Sequence, residues 1–311
     1  MKKIIQPVEI QLIEAELKNS GIVRKTNNGG NEIYSINNHN SPNVMLEIGR
    51  LRELSFRYSG GGTGKEADID VYDTADEPYQ QLIVWDPDRK EILGGYRYIL
   101  GNKAPQDGHG KPLIATRGLF EFSDTFKQNY FPSTIELGRS FVQPDYQSTK
   151  LGRKSLYALD NLWDGLGYLI VSNPEMKYFF GKVTMYTDYN KKARDLILYF
   201  INKHFSCKDA LVYPREPLQY HNNEEFMQSI LTEPNYKDDY KLLSKVIREL
   251  GENIPPLINS YMNLSPTMKS FGTAMNYKFG EVEETGILVT IADIYDSKKE
   301  RHINYVNTTN N

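Results

Sequence analysis

Cysteine is nearly absent from the 311 residues: Cys207 stands alone. That excludes an intrachain disulfide and argues against a thiolate metal site. Long apolar runs are missing too, so no membrane-spanning helix is expected. The basic start at Lys2 and Lys3 resembles the head of a signal peptide. Gln6, Pro7, Glu9 and Gln11 break any apolar core behind it, and the cytoplasm is the expected compartment. Neither sign of charge dominates: 37 Lys and Arg against 40 Asp and Glu give −3, with no overall nucleic-acid footprint. The five histidines are scattered without HxxxH or HExxH spacing, so no metal site is expected. Ser140 lacks the G-x-S-x-G elbow of a serine hydrolase. Gly60-Gly-Gly-Thr-Gly64 is followed by Lys65-Glu66 rather than Lys-Ser/Thr, and reads as a flexible loop rather than a phosphate loop.

What is present is aromatic bulk, with 22 Tyr and 13 Phe, enough for a substantial core. Apolar spacing predicts helices over 7–20 and 44–58, with an Asn- and Gly-rich loop or ragged hairpin between them. The centre has a strand rhythm at 81–85, 92–100 and 133–142. A helix from Gly152, a strand over 179–185 and a helix over 190–204 follow. Beyond a Pro- and Asn-rich stretch, a helix over 237–250 and a late strand over 285–293 are expected. This order is mixed α/β, or α+β, rather than regular βαβ alternation.

One segment, Glu136-Leu-Gly-Arg-Ser-Phe-Val-Gln-Pro144 through Gln147, Lys150 and Gly152-Arg-Lys154, runs from a strand through a Pro-containing turn into a helix. A helix N-terminus offers unpaired N–H groups to phosphate, and Lys150, Arg153 and Lys154 add charge beside it. The plainer reading is an ordinary turn with basic surface residues. Glu136 on a central strand suits a general base if burial raises its pKa. Alternatively it pairs with Arg139, but strand alternation puts the two on opposite faces unless a bulge intervenes. Arg139 is suited to a substrate carboxylate or to the acidic segment Asp68–Asp73.

Val142-x-Pro144-x-Tyr146-Gln147-x-x-x-Leu151-Gly152 resembles the pyrophosphate-binding loop of GNAT acyltransferases, with Lys150 in place of the middle glycine. Glu136-x-x-Arg139, Arg52-x-x-x-Phe56 and Asp70-x-Tyr-Asp73 are similar to the signature of acyl-homoserine-lactone synthases. Closer still, Asp68-x-Asp70-x-x-Asp73, Gly95-Tyr-Arg97, Glu136-Leu-Gly-Arg-Ser140, Leu162-Trp163-x-Gly165 and Pro255-Pro-Leu-x-x-Tyr261 resemble the ornithine-lipid and glycine-lipid N-acyltransferases, also called hemolysin-like.

This resemblance implies a GNAT-like central mixed, mostly antiparallel sheet flanked by helices. Residues 1–43 would be an N-terminal elaboration, 44–205 the core, and 206–311 an extension completing the same domain. It implies transfer of a long, 3-hydroxylated fatty acyl group from acyl carrier protein to an amino acid's α-amine. Glu136 and Arg139 would be catalytic, and Val142, Gln147, Lys150, Gly152, Arg153 and Lys154 would hold the donor's phosphopantetheine. Arg52, Phe56, Asp68, Asp70, Asp73, Arg97, Ser140 and Trp163 would shape the acceptor pocket. No permanently bound cofactor is expected. Phe141, Trp163, Tyr168, Phe179, Phe180 and Met185 are candidates for an acyl tunnel or for plain core. Lys191–Arg194 with Lys203 and His204 reads as a solvated basic face or as a contact for the acidic carrier protein, and 255–280 as a cover for the site or a peripheral membrane contact. The alternatives are a coenzyme A-dependent acyltransferase or a non-enzymatic lipid-binding protein.

Overall fold

The computed structural model describes residues 1–147 and 153–304. Helix α1 (Ile10–Ser20) stops where Gly21 takes a φ of +76° and returns its N–H to Leu17. The hairpin of β1 (Arg24–Lys25) and β2 (Glu32–Ile36) leads to α2 (Pro42–Tyr58), which starts on proline as pre-set φ favours. The one-turn α3 (Val71–Thr74) follows, then β3 (Gln80–Asp86), β4 (Glu91–Leu100), the short β5 (Phe120–Phe122) and β6 (Thr134–Val142). Next come α4 (Pro144–Gln147), the long α5 (Arg153–Ser172), β7 (Tyr178–Met185) and α6 (Lys191–Phe205). The last part holds β8 (Val212–Pro214), α7 (Glu224–Ile230), α8 (Tyr236–Glu249) and α9 (Pro256–Met262). Strands β9 (Lys269–Asn276) and β10 (Val282–Thr290) and helix α10 (Asp296–His302) complete it.

Eight strands make one sheet in the order β1-β2-β3-β4-β6-β7-β10-β9, with β5 and β8 paired separately. The sheet draws strands from all three segments of the chain. All its pairings are antiparallel except β6 with β7. Alternation along β3 divides the core: Leu82 and Val84 join the cluster containing α5 and α6, whereas Ile83 and Trp85 join the one containing α1 and α2. A third, aromatic cluster around Phe120, Phe126, Phe131 and Phe180 lies between the sheet and the β5–β8 ribbon.

Two irregularities position the site. The parallel ladder between β6 and β7 runs only from Thr134–Tyr178 to Glu136–Phe180, after which the strands part. On the other side of β6, Gly95 pairs with Phe141 and Arg97 with Gly138, so Tyr96 alone faces Arg139 and Ser140. Arg139 carries a φ of +48°, which marks a β-bulge. The bulge breaks the alternation that would separate Glu136 and Arg139. The two still do not pair: each has other partners.

Candidate active site

A cavity of about 430 Å³ opens where β6 and β7 part, within the range of small-molecule sites. Residues 137–142 of β6 and 179–182 of β7 form its walls, with Phe56, Phe279, Pro255 and the α9 residues Pro256, Leu257 and Tyr261 around them. Most of the lining is apolar, including Leu137, Phe141, Phe179, Leu257, Ile287 and Val289. Charge enters through Arg139, Lys182 and Glu284.

Behind Arg139 lies a buried lattice of ions. Its Nε sits 2.7 Å from Asp68, Nη2 bonds the same carboxylate at 3.1 Å, and its guanidinium stacks on the Phe279 ring at 4.2 Å. Arg97 donates Nη1 to both oxygens of Asp70 at 2.9 Å and reaches Asp73 at 3.3 Å. Arg52 bonds Asp73 and Gln81. Asp70 and Asp73 also make the capping box of α3, which adds local hydrogen bonds to both carboxylates. Burial alone would raise Asp73; the Arg52 and Arg97 guanidiniums outweigh it and hold the carboxyl far below the usual range. Asp68 and Asp73 are fully buried. Among the described residues no cluster of His, Cys, Asp and Glu could hold a metal ion.

Phe56, Arg139, Ser140, Val142 and Gln147 line the cavity, and Gln147 donates to the Val142 carbonyl at 2.6 Å. Arg52, Asp68, Asp70, Asp73 and Arg97 meet one another beneath it. Glu136 is 1% exposed, with its carboxylate held by the Tyr79 hydroxyl and by the Thr116 N–H (3.1 Å) and Oγ1 (2.8 Å). Burial pushes its carboxyl up, against those hydrogen bonds. Trp163 packs in the core, edge-on to Tyr261 at 5.6 Å, and so touches the cavity wall from behind. Lys150 and Gly152 lie outside the described residues. Arg153 and Lys154 open α5.

Of the expected tunnel aromatics, Phe141, Phe179 and Phe180 line the cavity, whereas Tyr168 and Met185 belong to the core around α5. On the basic helix α6, Lys192 is exposed, but most of the other charges are paired. Arg194 is buried against Asp195 and Glu283, and Lys203 and His204 both bond Asp239. The Gly60–Gly64 loop is pinned, because Glu53 accepts from Thr63 N–H and Oγ1 and from Gly64 N–H.

Lys182 and Glu284 escaped sequence reasoning. Lys182 donates Nζ to Glu284 Oε1, Thr184 reaches Oε2 at 3.2 Å, and Asn276 donates to Oε1 at 3.0 Å. Burial and the nearby Arg139 pull the Lys182 ammonium down, though Glu284 opposes them. Burial would raise Glu284, but Lys182 and Asn276 hold it below its ordinary value. Each residue sits on a separate strand with no local motif. Lys182 is the one charge inside the otherwise uncharged β7, whereas Glu284 shares β10 with its neighbour Glu283 and is not singled out.

A mixed sheet opening beside a bulged central strand, with a mostly apolar cleft that carries a few charges in its wall, is the architecture of a GNAT-type acyltransferase. Residues 51–154 match the family described as the acetyltransferase (GNAT) domain. Two glycine N(alpha)-acyltransferases align over 303 residues, or 97% of this chain. That of Phocaeicola vulgatus is 54% identical with 93% of its length covered. That of Bacteroides thetaiotaomicron is 56% identical with 90% covered. The chain belongs to this family of amino-acid N-acyltransferases. A solved CoA-dependent acyl-homoserine lactone synthase, BjaI with SAM and isopentyl-CoA, is 16% identical over 54% of this chain and 72% of that one, with a TM-score of 0.32. Among the described residues no helix is long and apolar enough to cross a membrane.

Proposed function

We propose that the enzyme joins a long, 3-hydroxylated fatty acyl group, delivered on acyl carrier protein, to the α-amine of glycine, as the first step toward an amino-acid lipid. The observation that carries this reading is the cavity between β6 and β7, apolar along most of its wall and charged at Arg139, Lys182 and Glu284. An acyl chain gains about 0.8 kcal/mol per buried methylene against such a wall, and an amino acid needs both charges. Where the ladder ends at Glu136–Phe180, the peptide groups of the parted strands can take the amides of a phosphopantetheine arm. The N-terminus of α5 suits that arm's phosphate. Glycine as acceptor is supported by the names of the two bacterial relatives.

The test supplies purified enzyme with 3-hydroxyacyl and plain acyl thioesters of acyl carrier protein, the same thioesters of coenzyme A, and a panel of amino acids. N-acylglycine formed from the carrier-protein donor, read by mass spectrometry, is expected. Product from coenzyme A thioesters alone would overturn the donor, preference for ornithine would overturn the acceptor, and no product from any amino acid would overturn the reading.

A further inference from the structure

We infer that Lys182 and Glu284 form the subsite for the acceptor amino acid: Glu284 takes the proton of its ammonium group, and Lys182, beside Arg139, receives its carboxylate. This rests on the amino-acid acceptor proposed above and deepens it.

The two side chains come from neighbouring strands of the sheet, β7 and β10, and both border the cavity. Glu284 is fully buried and Lys182 is 14% exposed. A buried lysine–carboxylate pair is a poor source of stability, because desolvating two charges cancels most of their attraction. An apolar pair would serve the sheet at least as well, yet these charges stand in the wall of a mostly apolar cleft. Arg139 acts electrostatically on both. Thr184 and Asn276 hold the Glu284 oxygens in place independently of Lys182, so Lys182 can turn to a substrate without releasing the carboxylate.

An α-amino acid reaches the enzyme as a zwitterion. Set against the Lys182–Glu284 pair in the reverse sense, it makes four charges alternating in sign, ammonium on Glu284 and carboxylate on Lys182 and Arg139. Glu284 then accepts one ammonium proton, which exposes the nitrogen lone pair. That pair attacks the thioester carbonyl, the C–N bond forms, and the C–S bond breaks as the tetrahedral intermediate collapses. The second amine proton leaves with the thiolate to give the free thiol, and Glu284 returns its proton to solvent.

Steady-state N-acylation of glycine and of glycinamide, which lacks the carboxylate, tests the assignment in wild type, Glu284→Gln, Lys182→Met and Lys182→Arg. Glu284→Gln should lower kcat by about 10²-fold or more and flatten the acidic limb of the pH profile. Lys182→Met should raise the KM for glycine at least ~10-fold while that for the acyl donor stays within about twofold. It should also erase the wild-type preference for glycine over glycinamide, and Lys182→Arg should restore much of it. Active wild type with an unchanged glycine KM, glycinamide preference and pH profile in the variants would overturn the subsite alone. So would equal losses toward donor and acceptor, or loss of activity from Lys182→Met and Lys182→Arg alike. Wild type that acylates no amino acid would instead overturn the reading beneath it.

Discussion

Arg52 donates Nη1 to both carboxylate oxygens of Asp73, at 3.3 and 3.2 Å, and neither side chain is exposed to solvent. Asp73 is shared with Arg97, which Asp70 also holds, whereas the ion-pair carboxylate of Arg52 is Asp73. Replacing it by Asn keeps the shape and leaves the buried Arg52 guanidinium without its ion-pair carboxylate, while Arg97 retains Asp70. Asp73→Asn should cost about 3–5 kcal/mol at neutral pH, measured by urea denaturation. The Asp73 pKa is depressed in the fold. Its contribution is therefore complete above the unfolded value of about 3.9 and is lost as pH falls through the lower folded value. The gap between variant and wild type should narrow below about pH 4. A variant as stable as wild type at pH 7 would show that the lattice does not depend on Asp73.

Glu136 poses the opposite case. Burial raises its carboxyl in the fold, so its contribution to stability is complete below the unfolded value of about 4.3 and is lost as pH rises through the folded one. Glutamine, a neutral stand-in for the protonated acid, should gain stability relative to wild type as pH climbs from about 4 to 8. Because its oxygens bond Tyr79 and Thr116, turnover in Glu136→Gln should stay within ~10-fold of wild type. A loss of about 10²-fold or more with the fold intact would assign Glu136 the role of general base.

The central architecture was readable because periodicity within each element agreed with its tertiary burial. Leu82-Ile-Val-Trp85 is apolar throughout because both faces of β3 are covered, and Pro42 and Gly21 punctuate helices as local chemistry dictates. β9 went unrecognised because Lys269-Ser-Phe-Gly-Thr-Ala-Met-Asn276 is an edge strand with Gly272 at a φ of +85°. The ion lattice was legible as a motif because Asp68, Asp70 and Asp73 crowd one segment. The Lys182–Glu284 pair was not, since 102 residues separate its members and only the β7–β10 register brings them together. Trp163 lay within a family motif, and its place behind Tyr261 follows from the face α5 turns to the core.

Gly181 lies just past the last paired residues of β6 and β7, and a Cβ built there would stand 2.7 Å from the Leu137 carbonyl oxygen. Backbone cannot yield as a flexible side chain can, so Gly181→Ala must push the strands apart at the head of the cavity. A loss of about 1–3 kcal/mol is expected, with a raised KM for the acyl donor. Thermal melting and donor titration check this. Wild-type values for both would mean that the strands can part there without consequence.

Ile287 is nearly buried on β10 and presents its side chain to the cavity. If the acyl chain occupies this space, a larger residue there removes room that distal methylenes would fill. Each lost methylene forfeits about 0.8 kcal/mol of binding, roughly fourfold in affinity. Ile287→Phe should therefore shift the preferred donor to a shorter chain. Short donors such as a butanoyl thioester should react nearly as before, because the charged residues are untouched. Competition among thioesters of graded length, with products resolved by mass spectrometry, reads the shift directly. An unchanged length optimum in a folded variant would place the chain elsewhere, and a uniform loss across all lengths would place Ile287 against the reacting carbonyl instead of the tail.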